Sequence, residues 1–203
     1  MAHTDLKNTS VNAASNYYIV RVNGDTVHND PASPVCYVKG EPPDFPKTYF
    51  NYSDYCMIEG VIRIGWPGTG DLRTNGVPSS TACYGTIKRR HQNYLRGFQD
   101  ISTGDRVLMP EKRQPGVVYL GIATSSYHYF YHLPDHPFEC AHRVRVRWLN
   151  DAEGLLRLNV KQLGLNKHGV FMTAFYQFDP KRHATTIRLI EKYVKGTSSA
   201  PAR

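Results

Sequence analysis

The chain has 203 residues, 40% hydrophobic and 12% aromatic with 14 tyrosines, which is enough apolar surface for one core and excludes intrinsic disorder for the body of the chain. Lys and Arg number 25 against 17 Asp and Glu, a formal charge of +8, so a polyanion is the natural electrostatic partner. Cys36, Cys56, Cys83 and Cys140 form no C-x-x-C pair, which argues against a zinc ribbon or a thioredoxin-like redox site, and no apolar run has signal-peptide or membrane-spanning character, so a cytoplasmic location is expected.

Residues 1–16 and 195–203 are polar and aperiodic and are expected to be disordered tails around one domain, 17–194. Tyr17 to Val22 (YYIVRV) is β-branched and aromatic, and Asn23-Gly24-Asp25 punctuates it, so it is read as the first strand. Five prolines between Asp30 and Pro46 break any period and predict a surface-lying insertion over residues 30–46. Cys56 to Ile64 (CMIEGVIRI) resumes strand character and runs into the Gly-rich turn GWPGTGDLR, Gly65 to Arg73.

From Tyr84 to Phe98, Ile87, His91, Tyr94, Leu95 and Phe98 recur at helical spacing, leaving Lys88, Arg89, Arg90 and Arg96 on the outer face of an amphipathic helix. Arg106 to Met109, Val117 to Ser125 and Arg143 to Leu149 are three further strands, preceded in the first two cases by the turns Gly104-Asp105 and Pro115-Gly116. In the third, Val144, Val146 and Trp148 or Leu149 alternate with Arg143, Arg145 and Arg147, so one face is expected to be buried and the other to be arginine. Gly169 to Phe178 is read as a last strand, and Asp179-Pro180 as the cap and first turn of a helix through Val194 with Ile187, Ile190 and Val194 buried. The expected class is α+β: a mainly antiparallel sheet curled into a barrel with flanking helices.

No pattern for catalysis stands out. The nine histidines include no H-E-x-x-H, the prolines 134 and 137 argue against a helical metal cluster of His128, His132 and His136, and no G-x-S-x-G elbow is present. GWPGTGDLR lacks the Lys-Ser/Thr of a P-loop, and Pro67 interrupts a dinucleotide fingerprint. It does hold Trp66 on a turn with Asp71 as an acceptor and Arg73 as a donor nearby, an aromatic plate beside edge-bonding groups of the kind that takes a planar base. From spacing alone, a core tryptophan is the readier reading. In SSYHYFYHL, Ser125 to Leu133, a continuing strand would put Tyr127, Tyr129 and Tyr131 on one side and His128, Phe130 and His132 on the other.

The segments YYIVRVNGD, GVIRIGWPGTGDL, STGDRVLMP, YLGIATSSYHY and HRVRVRWL together resemble the PUA-like superfamily, specifically the EVE and YTH-related domains fused in some bacteria to methylation-dependent restriction NTPases. The resemblance covers about Tyr17 to Leu149. It implies a β-barrel with flanking helices that reads a modified, typically methylated, base flipped into an aromatic-walled pocket. Carried over, Trp66, Tyr127 and Tyr129 would be pocket walls, and Asp71 beside Leu72 a polar edge contact. Arg89, Arg90, Arg143, Arg145 and Arg147 are expected to hold phosphates. The expected partner is therefore DNA or RNA with a modified base, together with a separate NTPase or nuclease protein; no enzyme chemistry, cofactor, metal or membrane partner is expected. A small hydrolase of the same superfamily and a protein-interaction subunit of a defence or restriction assembly remain the alternatives.

Overall fold

The computed structural model describes residues 15–22, 26–28, 47–49, 52–66, 69–81, 85–111, 114–129, 141–165 and 173–198. In chain order the elements are β1 (Tyr17–Val20), β2 (Thr26–His28), β3 (Lys47–Tyr49), α1 (Tyr52–Ile58), β4 (Val61–Ile64), α2 (Leu72–Asn75), β5 (Ser80–Thr81), β6 (Gly85–Thr86), α3 (Arg89–Gln99), β7 (Arg106–Pro110), β8 (Val117–Ala123), β9 (His128–Tyr129), β10 (His142–Trp148), β11 (Asn150–Asp151), β12 (Gly154–Leu155), β13 (Arg157–Asn159), β14 (Phe175–Gln177) and α4 (Ala184–Ser198). The proline-rich segment 30–46, Phe130 to Cys140, residues 166–172, where the strand read from Gly169 would start, and the residues 1–14 and 199–203 lie outside the described residues, as do Cys36 and Cys83; Cys56 is buried.

The main sheet runs β14-β1-β7-β8-β10-β4, with β13 added to β8 and β9 to β10. Among the described residues its one parallel pair is β1 with β7, and the other ladders are antiparallel. β4, at one end of this path, comes back against β1, so the sheet is strongly curled, and no ladder among the described residues joins those two strands. The class is thus α+β with a curled, mostly antiparallel sheet. Both expected turns are present: Gly104 adopts φ +95° before β7 and Gly116 φ +86° before β8.

Each face of the sheet buries its own core. On the concave side, Tyr18, Val107, Met109, Val144, Val146 and Trp148 meet Leu95 and Phe98 of α3 and Cys56 of α1. On the other, Ile19, Leu108 and Leu120 meet Ile190 and Val194 of α4. Each such large side chain contributes on the order of 1.5–3 kcal/mol on leaving water. Gly121 on β8 is one of two described glycines, with Gly97, that leave no room for a side chain: a Cβ there would overlap Val146 Cγ1 and lie 2.8 Å from Trp148 Cε3. Trp148 is further tied down by its indole N–H, which donates to the Cys56 carbonyl at 2.9 Å.

Four expectations are corrected. Cys56 to Ile58 is helical, because α1 runs from Tyr52 until Gly60, at φ +61°, turns the chain into β4; a short apolar run carries too little periodicity to separate the two states. The amphipathic helix begins at Arg89, not Tyr84, since residues 85–86 pair with 80–81 as β5 and β6. Asp179 caps a turn rather than α4 itself, accepting from Lys181 N–H and Arg182 N–H through Oδ1, and α4 starts at Ala184 and continues to Ser198, into the stretch read as tail. Arg143 departs from the exposed arginine face: it is 5% exposed with its guanidinium over the Tyr55 ring at 5.7 Å, because α1 covers this end of β10, whereas Arg145 and Arg147 are exposed.

Candidate functional site

β4 delivers the chain into the Gly-Trp turn, where Trp66 sits at φ +68°, the one described non-glycine residue with positive φ. That conformation is costly for a large side chain and persists only where surroundings over-determine it. The surroundings here are a buried polar network centred on His142. His142 is fully buried on β10, and its Nε2 lies 2.9 Å from the Trp66 carbonyl and 3.0 Å from Thr69 Oγ1, while Nδ1 lies 2.8 Å from the Tyr127 hydroxyl. A carbonyl only accepts, so Nε2 carries the proton and donates to Trp66; Nδ1 then accepts the Tyr127 O–H.

Tyr127 in turn accepts the Leu72 N–H at 3.2 Å, and Thr69 donates both its N–H, at 3.1 Å, and its hydroxyl, at 2.9 Å, to the Trp66 carbonyl. Every polar group in this network is used. Burial holds the imidazole neutral, pulling its pKa down to about 4, with the Trp66 carbonyl and Asp71 opposing that shift. Burial likewise pushes the Tyr127 phenol up, so it remains a hydroxyl. The Tyr127 ring stacks on His142 at 5.9 Å, and Tyr129 leans against the same imidazole at 5.1 Å. Tyr127 and Tyr129 thus both reach the His142 ring, although β8 ends at Ala123 and only Tyr129 of the two lies in a strand, β9.

The Trp66 indole is only partly buried and lies against His91 of α3, 5.1 Å between centroids, with His91 also 5.9 Å from Tyr94. Arg90 Nε donates to His91 Nε2 at 3.1 Å, which keeps that imidazole neutral; its pKa is lowered chiefly by burial and then by Arg90 and Lys88. Lys88, the N-cap residue of α3, makes no side-chain cap bond, and the first turn holds no acid. Arg89 and Arg90 are exposed there, so the positive end of the helix dipole carries a run of cations, where an anion is the favourable occupant. Asp71 caps α2 by accepting Arg73 N–H at 3.0 Å, and Arg73 lies over the Tyr127 ring at 5.4 Å. Arg145, Arg143 and Arg73 also act on the pKa of His128, which is lowered first by burial and then by these three charges.

The structure thus brings Trp66, Asp71, Leu72, Tyr127 and Tyr129 together but distributes them differently from the expected pocket. Leu72 is 1% exposed and Tyr127 2% exposed, so both are core, their polar atoms bonded to each other and to His142. Accessible surface remains on Trp66, Asp71 and Tyr129. Of the arginines, Arg90 bonds the His91 ring that touches Trp66 and Arg145 acts on His128, whereas Arg89 is only the exposed first residue of α3 and Arg143 is covered. His142, Thr69, His91 and Lys88 carry no local motif that marks them as site residues; the signal for His142 is that it continues the buried even-numbered series of Val144, Val146 and Trp148. Among the described residues no group of three or more His, Cys, Asp or Glu could hold a metal, and no helix is long and apolar enough to cross a membrane. An open depression of about 580 Å³ lies elsewhere, between the β11–β12 hairpin and the end of α4, lined by Asn150, Asp151, Leu156, Lys192 and Tyr193 among others.

A family model described as Domain of unknown function (DUF8426) matches residues 48–179, a span that includes the whole Trp66–His142 network. No curated protein matches the chain. Among solved structures, the chain is similar to that of protein Atu2648 from Agrobacterium tumefaciens, at 10% sequence identity and a TM-score of 0.35, covering 92% of this chain and 97% of that one.

Proposed function

Because the chain belongs to the family described as Domain of unknown function (DUF8426), which names no activity, we propose a function from its geometry: a nucleic-acid-binding domain that stacks one base on Trp66 and holds the adjacent phosphates on the cations of α3 and α2. The observation that carries this reading is Trp66 itself. A large aromatic is kept in a strained backbone conformation and partly exposed, by a buried network whose bonds converge on its own carbonyl. Backbone strain of this kind costs roughly 1–3 kcal/mol and clusters at ligand-binding positions.

The electrostatics support the same reading. Lys88, Arg89 and Arg90 crowd the uncapped start of α3, with Arg90 bonded to the His91 ring that touches Trp66. α2, which carries Arg73, packs against α3. An aromatic plate beside a row of cations is the arrangement that takes single-stranded nucleic acid, where stacking tolerates any base and the phosphates supply the salt-sensitive share of affinity. An extruded base in a duplex offers the same surfaces. Recognition of a modified base, which the PUA-like resemblance implies, is the finer form of this proposal.

Binding of the purified chain to short oligonucleotides, single-stranded and duplex, with and without a methylated base, tests it directly. The expected result is salt-sensitive binding that Trp66→Ala weakens by about ten- to hundredfold, the contribution of one stacked base. Absence of binding at low salt, or equal binding by a folded Trp66→Ala variant, would overturn it. Preference for the methylated oligonucleotide supports the reader; equal affinity leaves a general binder of nucleic acid.

A further inference from the structure

We propose that His142 is the positioning residue of this site: its buried Nε2–H clamps the Trp66 carbonyl and so fixes where the indole stands. The functional clause, that a base meets the indole there, rests on the nucleic-acid reading above; the clamp itself does not. His142 has no solvent exposure, so it is no ligand contact. Yet it is the only described side chain that reaches the Trp66 carbonyl from outside the turn, at 2.9 Å and across 76 residues of sequence. Thr69, the other donor to that carbonyl, belongs to the turn and moves with it. His142 therefore ties a loop conformation to the sheet at the first residue of β10, which pairs with Ile64 of β4 and Tyr129 of β9.

The two ring nitrogens have separate duties. Nε2 holds Trp66, and Nδ1, by accepting from Tyr127, fixes the tautomer in which Nε2 carries the proton. The imidazole thus meets the β9 side through one nitrogen and holds the Gly-Trp turn through the other. The charged and aromatic groups that face it are Asp71, which acts on it directly, Arg73, which lies over the Tyr127 ring, and Tyr129, which rests against its face.

Two substitutions separate the duties. His142→Gln extends an amide N–H to about the place of Nε2 and keeps a donor for Trp66; His142→Asn keeps an acceptor near the place of Nδ1 and removes that donor. The chain has two tryptophans, and Trp148 is buried, so acrylamide quenching and the emission maximum, each corrected by the matching Trp66→Phe variant, report Trp66. Increased quenching and a red shift are expected for His142→Asn, with values near wild type for His142→Gln. Equal Trp66 signals in the two folded variants would overturn the positioning role and leave His142 a general element of the core.

A measurement on the unsubstituted chain covers the case in which His142→Asn fails to fold. In long-range proton–nitrogen NMR at neutral pH, the His142 ring must be the neutral tautomer with the proton on Nε2; the Nδ1-protonated tautomer would sink the clamp. A third measurement joins clamp to function. Affinity of His142→Asn for a single-stranded oligonucleotide should fall about ten- to hundredfold, as when one stacked base is removed, and His142→Gln should restore it. If the fluorescence and NMR results appear as expected while no variant or wild-type chain binds nucleic acid, the clamp stands and the nucleic-acid reading fails.

Discussion

His142 donates its Nε2–H to the carbonyl of Trp66 at 2.9 Å, joining the start of β10 to the one described non-glycine residue held at positive φ. The bond makes the backbone, and not the indole, the anchored part of Trp66. Trp66 itself is only partly buried, at the margin of the core, with its ring against His91. A tryptophan serving only to fill the core would be held the other way round, as Trp148 is, by burial of the ring and a bond from its indole N–H.

Tyr127→Phe tests how much of the fold depends on this network. The substitution keeps the ring that stacks on His142 and meets Phe98 edge-on but removes the donor to Nδ1 and the acceptor for Leu72 N–H. Each buried group left unpaired costs about 1–3 kcal/mol. A clear fall in melting temperature is expected with little change in near-ultraviolet circular dichroism, and unaltered stability in a urea titration would show that water or a neighbour replaces the hydroxyl.

Acid should destabilise the protein through His142. Its pKa in the folded chain is depressed to about 4, against an ordinary value of 6.5 when unfolded. Above pH 6.5 both states are neutral and the full stability is present. Between pH 6.5 and about 4 the unfolded chain takes a proton that the folded chain refuses, so stability falls by about 1.4 kcal/mol per pH unit across that window. His91 and His128 shift in the same direction, but both are partly exposed and act more weakly. The difference between wild type and His142→Gln isolates the buried residue: urea midpoints measured from about pH 7.5 down to about pH 4 should converge as the pH falls, and parallel profiles would count against the assignment.

Gly121→Ala should be among the worst single-methyl additions in the chain. The new Cβ would overlap Val146 Cγ1 and lie 2.8 Å from the Trp148 ring, and both neighbours are buried. Overpacking of this kind costs typically about 1–3 kcal/mol. Gly65→Ala, where nothing lies within 4 Å of the added atom, is the control; equal melting temperatures for the two variants would refute the close approach of β8 and β10.

Those two strands are legible in the sequence because the residues of β10 alternate: Val144, Val146 and Trp148 point inward, and Arg145 and Arg147 outward, as a period of two requires. The same rule misplaces Arg143, since alternation says which face a side chain takes and not what covers that face; α1 lies there and Tyr55 stacks on the guanidinium. That helix is itself unreadable from local pattern. Tyr52 to Ile58 is two turns long, and its apolar residues continue almost without a break into β4, so no boundary shows until Gly60. The grouping of Trp66, Asp71, Leu72, Tyr127 and Tyr129 comes through the motif order, but the burial of Tyr127 and Leu72 depends on His142, 15 residues from one and 70 from the other in sequence. Nothing in either local segment signals it.

The start of α3 yields a prediction in which stability and binding move in opposite directions. Lys88 occupies the N-cap position with φ −56° and ψ 142°, a conformation in which an Asp side chain can reach the free N–H groups of the first turn. As it stands, Lys88 makes no such bond, and Arg89 and Arg90 add two more positive charges where the helix dipole is already positive. Lys88→Asp should therefore raise stability, by about 0.5–2 kcal/mol from the cap and a further ~0.3–1 kcal/mol from the dipole. If these cations exist to meet phosphates, the same substitution should weaken binding of oligonucleotides. It should also flatten the dependence of log affinity on log salt by roughly 0.7 for each single-strand phosphate that is no longer neutralised. Thermal melting and binding isotherms at several salt concentrations, on one preparation, decide the matter. A higher melting temperature with a shallower salt slope is the signature of a helix terminus shaped for an anion at the expense of its own stability. A higher melting temperature with unchanged affinity and slope would show that Lys88, Arg89 and Arg90 are a solvated face, and would move any phosphate binding to Arg73 and Arg145.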